Sequence, residues 1–373
     1  MDLYDGFGRN RGYGDAGRVP GLIFEFAAPI MKACLRCRFR KYPRTVSHPP
    51  FTVENDMSLQ PDRNNPLIPI IGLGTWKSKP GQVYAAVKEA ITAGYRHIDC
   101  APAYDNESEV GAAIGEMIKT GTVTREDLWV TSKLWNNAHQ PDQVLPALLK
   151  TLHDLRLDYL DLFLIHWPVA FKAEVSYPRS REDWLPLAEM PLIDTWRAME
   201  ECVGKGVVRH IGVSNFSIPK LDDLNRQATI PPLMNQVEIH PYLQQQAMLD
   251  YCRDRGIMLT AYSPLGSGDR PKALKSAGEP VLLQDPVLQG IADRHRCAVS
   301  QILLAWAMAR GVIVIPKSVE PKRIRQNLDA VKVELDAADM AAIAGLDRGH
   351  RYVDGSFWQT DGSPYTVAGI WDE

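Results

Sequence analysis

YRHIDCAPAYDNESEVGAAIGEMIKT, residues 95–120, opens on a short apolar strand and runs into an amphipathic helix. The strand YRHIDCA (95–101) ends in a polar pair, Asp99 and, a few residues on, Tyr104; the helix segment ESEVGAAIGEMIKT (107–120) follows. The same unit recurs on both sides of it. IPIIGLG (68–74) precedes QVYAAVKEAITAG (82–94), LWVTSKL (128–134) precedes PDQVLPALLKTLHDL (141–155), and YLDLFLIHW (159–167) precedes PLIDTWRAMEECVGKG (191–206). RHIGVSN (209–215) precedes IPKLDDLNRQA (218–228), and MNQVEIH (234–240) precedes QQQAMLDYCRDRG (244–256). IMLTAYSPL (257–265) and VIVIPKS (312–318) are the last strands, with helices SQILLAWAMARG (300–311) and PKRIRQNLDAV (321–331). Eight strand–helix units are the number that closes a parallel sheet on itself, so the expected fold class is α/β, a (β/α)8 TIM barrel. Glycines at helix ends, as in AGY, KGV and RGI, supply the stops.

Two segments fall outside the eight and are expected as extra helices: QDPVLQGIADRHR (284–296) and AADMAAIAGL (337–346). The last stretch, RGHRYVDGSFWQTDGSPYTVAGIWDE (348–373), is loop-like and aromatic, and reads as a C-terminal loop over the active site. Residues 1–56 lack sustained periodicity and are rich in Gly and Arg, then basic, which reads as a disordered N-terminal extension. A start at Met57 accounts for it equally well. Residues 57–373 are expected to form a single barrel domain.

Composition narrows the function class. The 373 residues are 45% hydrophobic and 23% charged, with a formal net charge of -3, which gives no drive toward nucleic acid or acidic membranes. No apolar run approaches the roughly 20 residues of a membrane span; GLIFEFAAPIM (21–31) is broken by Glu25 and Pro29. Six cysteines (34, 37, 100, 202, 252 and 297) are scattered rather than framed as a disulfide set, and a cytoplasmic location is the expectation. Cys34 and Cys37 form a CxxC without a partner pair or histidines, so no metal site is expected. The sequons at Asn106 and Asn215 fall inside the functional motifs, where a glycan would obstruct them.

In a barrel the carboxyl ends of different strands converge on one face. Asp99, Tyr104, Lys133 and His166 each follow or end a predicted strand and are expected to meet there. A tyrosine is a reluctant acid at neutral pH; an adjacent ammonium, Lys133, would lower its pKa. Asp99 would offset the burial of Lys133, and His166 would hydrogen-bond and orient a substrate oxygen. Such a group protonates an alkoxide as it forms, which calls for a hydride donor nearby. No G-x-G-x-x-G opens a helix, so a Rossmann site is excluded. IPKSVEPKRIRQN is the better signal: Lys317, Ser318 and Arg323 at a helix start suit the 2′-phosphate of NADP(H). Tyr262 could stack on nicotinamide, Ser214, Asn215 and Gln236 could bond its carboxamide, and Trp76, Trp135 and Trp167 could wall the substrate side.

GYRHIDCAPAYDNESEVG, LWVTSKLWN, LFLIHWP, GVSNF, NQVEIHPYL, AYSPLGS and IPKSVEPKRIRQN together resemble the aldo-keto reductases, especially the aldose and aldehyde reductase branch, over about residues 66–350. The resemblance implies a (β/α)8 barrel that binds NADP(H) in an extended pose, and a tetrad of Asp99, Tyr104, Lys133 and His166 with Tyr104 as general acid. It also implies cofactor contacts at Thr75, Ser214, Asn215, Gln236, Tyr262, Ser263, Leu265, Ser267, Lys317, Ser318, Arg323, Gln326 and Asn327. Gln326 stands where many relatives carry an acidic residue, Lys272 where close relatives often place tryptophan, and the C-terminal loop differs from the animal aldose reductase tail. The expected function is NADPH-dependent reduction of aldehydes to alcohols, with aldoses or ketones as open alternatives, by a monomer acting on a small carbonyl substrate. The alternative from another class is an NADP(H)-binding accessory or sensor protein with little turnover. A barrel hydrolase would need paired carboxylates or a metal cluster, and neither signal is present.

Overall fold

In a computed structural model, residues 68–275 and 278–373 are described; the expectation for 1–56, and the start of the domain at residue 57, lie outside them. The chain alternates β1 (Leu73–Gly74), α1 (Gln82–Ala93), β2 (His97–Asp99), α2 (Glu107–Lys119), β3 (Trp129–Leu134), α3 (Pro141–Leu155) and β4 (Leu160–Ile165). A short antiparallel pair, β5 (Ala170–Phe171) with β6 (Trp184–Leu185), interrupts before α4 (Leu192–Gly204). Then come β7 (Val208–Ser214), α5 (Ile218–Gln227), β8 (Met234–Glu238), α6 (Gln246–Asp254) and β9 (Met258–Tyr262). The expected extra helix α7 (Pro286–His295) precedes α8 (Val299–Ala309), β10 (Ile313–Val314) and α9 (Pro321–Leu328). The second one, α10 (Ala337–Ala344), and a terminal α11 (Val367–Trp371) complete the chain.

The eight larger-sheet strands pair in parallel in the order β1-β2-β3-β4-β7-β8-β9-β10. Closure comes from the ends: Ile71 bridges Val314 in parallel, and Gly72 N–H donates to Val314 O at 2.8 Å. This is the (β/α)8 barrel read from the alternation. β1 and β10, where the barrel closes, keep two residues each in register, fewer than their apolar runs.

Strand parity decides what faces inward. Trp129, Leu162, Leu164, Met234 and Ile313 form a small apolar cluster inside the barrel, separate from the large core between strands and helices. Lys133 shares the parity of Trp129, His166 that of Leu162 and Leu164, and Gln236 that of Met234; polar residues thus continue the inner face at the carboxyl ends. The interior is tight. A Cβ on Gly212 would lie 2.7 Å from Met234 O, so only glycine fits there. Helices begin where local chemistry allows: Ser217 accepts from Lys220 N–H and Asp285 from Val287 N–H. Pro141 and Pro321 open α3 and α9, where a missing N–H costs nothing. Among the described residues no helix is long and apolar enough to cross a membrane.

Candidate active site

A cavity of about 620 Å³ opens at the carboxyl ends of the strands. Asp99, Tyr104 and His166, all thirteen expected cofactor residues, and Trp76, Trp135 and Trp167 line it. Lys133 does not; it lies beneath, 1% exposed. Its Nζ donates to Asp99 Oδ1 at 2.5 Å, to Cys100 O at 2.9 Å and to Tyr104 Oη at 3.1 Å. Gln236 Nε2 donates to the other Asp99 oxygen at 2.7 Å, and Thr75 Oγ1 to the Asp99 carbonyl at 2.8 Å. Tyr104 sits on a single 3-10 turn after β2, Pro102–Tyr104, which lifts its hydroxyl from the strand end over Lys133.

The electrostatics of Tyr104 set burial against the pull of Lys133. The Tyr104 phenol is pushed up to about 12: burial dominates, and Lys133 pulls down only in part. An ammonium already shared with Asp99 cannot offset the loss of water around a buried phenolate. Tyr104 is therefore protonated at neutral pH, with Lys133 pulling against the effect of burial. Burial works against the Lys133 charge, but Asp99 and Tyr104 outweigh it and hold the ammonium above its ordinary range. His166 is held well below its usual value by burial, then by Lys133 and His139, so its imidazole is neutral. Its ring stands edge-on to Tyr104, centroids 5.8 Å apart, and 5.2 Å from Trp135.

The neighbouring wall is a hydrogen-bonded set of amides. Asn215 Nδ2 donates to His166 O at 2.9 Å, Tyr262 Oη donates to Asn215 Oδ1 at 2.7 Å, and Ser214 Oγ donates to Gln236 O at 2.8 Å. Asn106 Nδ2 donates to Thr75 O, so both sequon asparagines are buried and engaged. Asn215, Ser263 and Ser267 have φ of 63°, 47° and 46°. Left-handed backbone at non-glycine residues costs about 1–3 kcal/mol each, and such strain gathers at ligand clamps.

Sequence reasoning missed the residues that span the cavity. Lys77 Nζ donates to Ser267 Oγ at 2.6 Å and pairs with Asp269 at 2.5 Å, while Lys317 reaches the same carboxylate at 3.2 Å. Burial lowers Lys77 to about 8 despite Asp269. Lys77 adjoins Trp76 in the sequence, but Asp269 is 192 residues away, and only folding reveals their pairing. Val353 and Phe357 bring the C-terminal loop into the lining, as expected of a loop over the site. Among the described residues no cluster of His, Cys, Asp and Glu could hold a metal ion.

Behind the site, Glu107 at the start of α2 accepts from Ser132 Oγ at 2.6 Å and Thr151 Oγ1 at 3.2 Å. Burial raises its carboxyl from 4.5 to about 7, the two hydroxyls pulling the other way. The folded state thus binds the proton more tightly than the unfolded chain, and stability falls as pH rises between about 4.5 and 7. Glu107→Gln should remove up to roughly 3 kcal/mol of that decline. Urea midpoints at pH 5 and pH 8 check this; an unchanged pH slope in the variant would refute it.

The Aldo/keto reductase family pattern matches residues 70–348. An aldo/keto reductase of Synechocystis sp. is 54% identical over 319 residues, covering 86% of this chain and 98% of that protein. Aldo-keto reductase family 1 member A1 of Sus scrofa is 48% identical over 288 residues, 77% of this chain and 88% of its own. Among solved structures, the aldose reductase from Schistosoma japonicum superposes with a TM-score of 0.74 at 37% identity, over 82% of this chain and 99% of that one. The motifs at the strand ends, the closed barrel and these similarities agree: the chain belongs to the aldo/keto reductase family.

Proposed function

We propose that this protein reduces aldehydes to alcohols with NADPH, Tyr104 giving the proton. The observation that carries the reading is the Lys133–Tyr104 contact at 3.1 Å, with Lys133 anchored on Asp99, at the foot of a cavity that also holds Lys317, Ser318 and Arg323. The lining fits a phosphorylated dinucleotide. Cations and a hydroxyl lie at the start of α9, amide groups of Asn215 and Gln236 lie near Tyr104, and the Tyr262 ring offers a flat apolar face. When bound, the reduced nicotinamide supplies a hydride to the carbonyl carbon. The neutral His166 imidazole orients the carbonyl oxygen toward Tyr104 Oη. That hydroxyl donates its proton as negative charge builds on the oxygen, and Lys133 stabilises the phenolate left behind. Trp76, Trp135 and Trp167 exclude water from the exchange. We read the protein as acting alone, as a cytoplasmic monomer.

The test is loss of reduced-nicotinamide absorbance against a panel of aldehydes, aldoses and ketones. Turnover of an aldehyde supports the reductase; tight NADPH binding without reduction of any carbonyl overturns it in favour of a binding protein. The cofactor reading has its own check. Lys317→Ala with Arg323→Ala should weaken NADPH by about 10- to 100-fold, two charge-assisted contacts being lost, and NADH far less. Equal loss for both cofactors, measured by tryptophan quenching, would remove the 2′-phosphate assignment.

A further inference from the structure

Three buried polar side chains at the ends of β3 and β4 have hydrogen-bonding capacity to spare. The register Leu134↔Ile165 sets these two strand ends side by side, and His166 N–H donates to Leu134 O at 3.2 Å. The chain leaving β3 therefore runs past His166. The Trp135 ring lies 5.2 Å from the imidazole, and Asn136–Ala138 follow as a single 3-10 turn that ends at His139. α4 fixes this turn, Thr195 Oγ1 donating to His139 O at 2.7 Å. Within it Asn137 donates to Ala173 O at 3.2 Å, whereas Asn136 and His139 are buried.

Among the described residues, Asn136 has no hydrogen-bond partner on Oδ1 or Nδ2, His139 none on either ring nitrogen, and His166 none on Nδ1. Other buried residues of these types fare better. Asn106, Asn215 and Asn235 each donate to a backbone carbonyl, and His97 and His240 each bond through one nitrogen. An unpaired buried polar atom costs about 1–3 kcal/mol, so groups of this kind are ordinarily satisfied by an internal water with two to four polar partners. Burial holds His139 down to about 3, so its ring is neutral, with one N–H and one bare nitrogen. It is also near enough to His166 to depress the basicity of that ring.

A neutral imidazole carries its proton on one nitrogen, and the partner of the other nitrogen decides which. With the proton on Nδ1, His166 would turn a lone pair toward the carbonyl oxygen and repel it. A donor at Nδ1 removes that state. We propose that Asn136 and His139 are positioning residues: together they bind a water that donates to His166 Nδ1 and so keeps the His166 proton on Nε2, facing the carbonyl. This rests on the reading that His166 orients the carbonyl oxygen. Asn136 Nδ2 and His139 supply the water's other hydrogen bonds.

The test is the nitrogen-15 spectrum of the full-length protein labelled at histidine, with His166 identified by the signals that His166→Gln removes. In the wild type Nε2 should carry the proton, and Nδ1 should show the shift of a nitrogen that accepts a hydrogen bond. Asn136→Leu with His139→Phe takes away the water's partners and strands no protein group. That variant should lose the Nδ1 shift and let the Nδ1-protonated form appear. Its kcat/KM for an aldehyde should fall about fivefold, the loss of one neutral hydrogen bond, with NADPH affinity within about twofold of wild type. His139→Gln keeps a donor and an acceptor and should retain the wild-type tautomer. Should the double variant not fold, His139→Phe alone decides. A wild-type His166 protonated on Nδ1, or a folded apolar variant with unchanged His166 shifts, would overturn the proposal. The expected tautomer in a wild type that reduces no carbonyl would instead overturn the reading of the site on which it stands.

Discussion

Tyr104→Phe should lower kcat for aldehyde reduction by about 10²–10⁴-fold, the range a general acid supplies, while NADPH affinity stays within about twofold. The substitution removes one oxygen from the foot of the pocket and keeps the ring, which packs 6.5 Å from Trp76 and 5.8 Å from His166. Without it, the nearest proton on that side belongs to Lys133, an ammonium committed to Asp99 and the Cys100 carbonyl. Stopped-flow turnover and quenching titration separate chemistry from binding. Wild-type turnover in the variant would take the proton-donor role from Tyr104; a matching loss of NADPH affinity would make its role structural.

Lys133→Met should cost both stability and rate. Lys133 and Asp99 form an ion pair of which each side chain is about 1–2% exposed. Removing one partner leaves a buried carboxylate held by Gln236 at 2.7 Å, a change that typically costs about 3–5 kcal/mol. Pairing it with Asp99→Asn removes the stranded charge, so the double variant should recover most of the lost stability in urea unfolding. It should not recover activity, because nothing then stabilises the phenolate. A double variant as active as the wild type would show that the ion pair serves folding alone. A single variant as stable as the wild type would contradict the buried-pair geometry.

Much of the barrel was legible because its signals are local. Each strand is a short apolar run, each helix a periodic segment with its own stop, and eight such units admit few arrangements. The two extra helices were legible for the same reason. The small β5–β6 pair was not: its strands are two residues each and owe their place to packing of Phe171 and Trp184 against Trp358 from the far end of the chain. Asp99, Lys133 and His166 could be picked out as polar residues at or near the ends of apolar strands, which a barrel gathers at one mouth, and Tyr104 as a residue of the turn just after one of them.

Energetic balance was less accessible. The Lys133–Tyr104 pairing suggested an acidified phenol, yet burial outweighs the ammonium and leaves Tyr104 at about 12. Burial depends on everything packed around a group, which no motif records. The Lys77–Asp269 pair is likewise a contact between segments far apart in sequence, made by side chains with ordinary local surroundings.

By itself the sequence determined the strand–helix alternation, and through it the barrel and the convergence of its polar strand ends, because periodicity and capping act over a few residues. Only the tertiary structure decided that Lys133 lies under the cavity rather than in it, that Tyr104 stays protonated, and that Lys77 pairs with Asp269. Those outcomes depend on desolvation and on contacts over long sequence separations, which exist only once the chain has closed on itself.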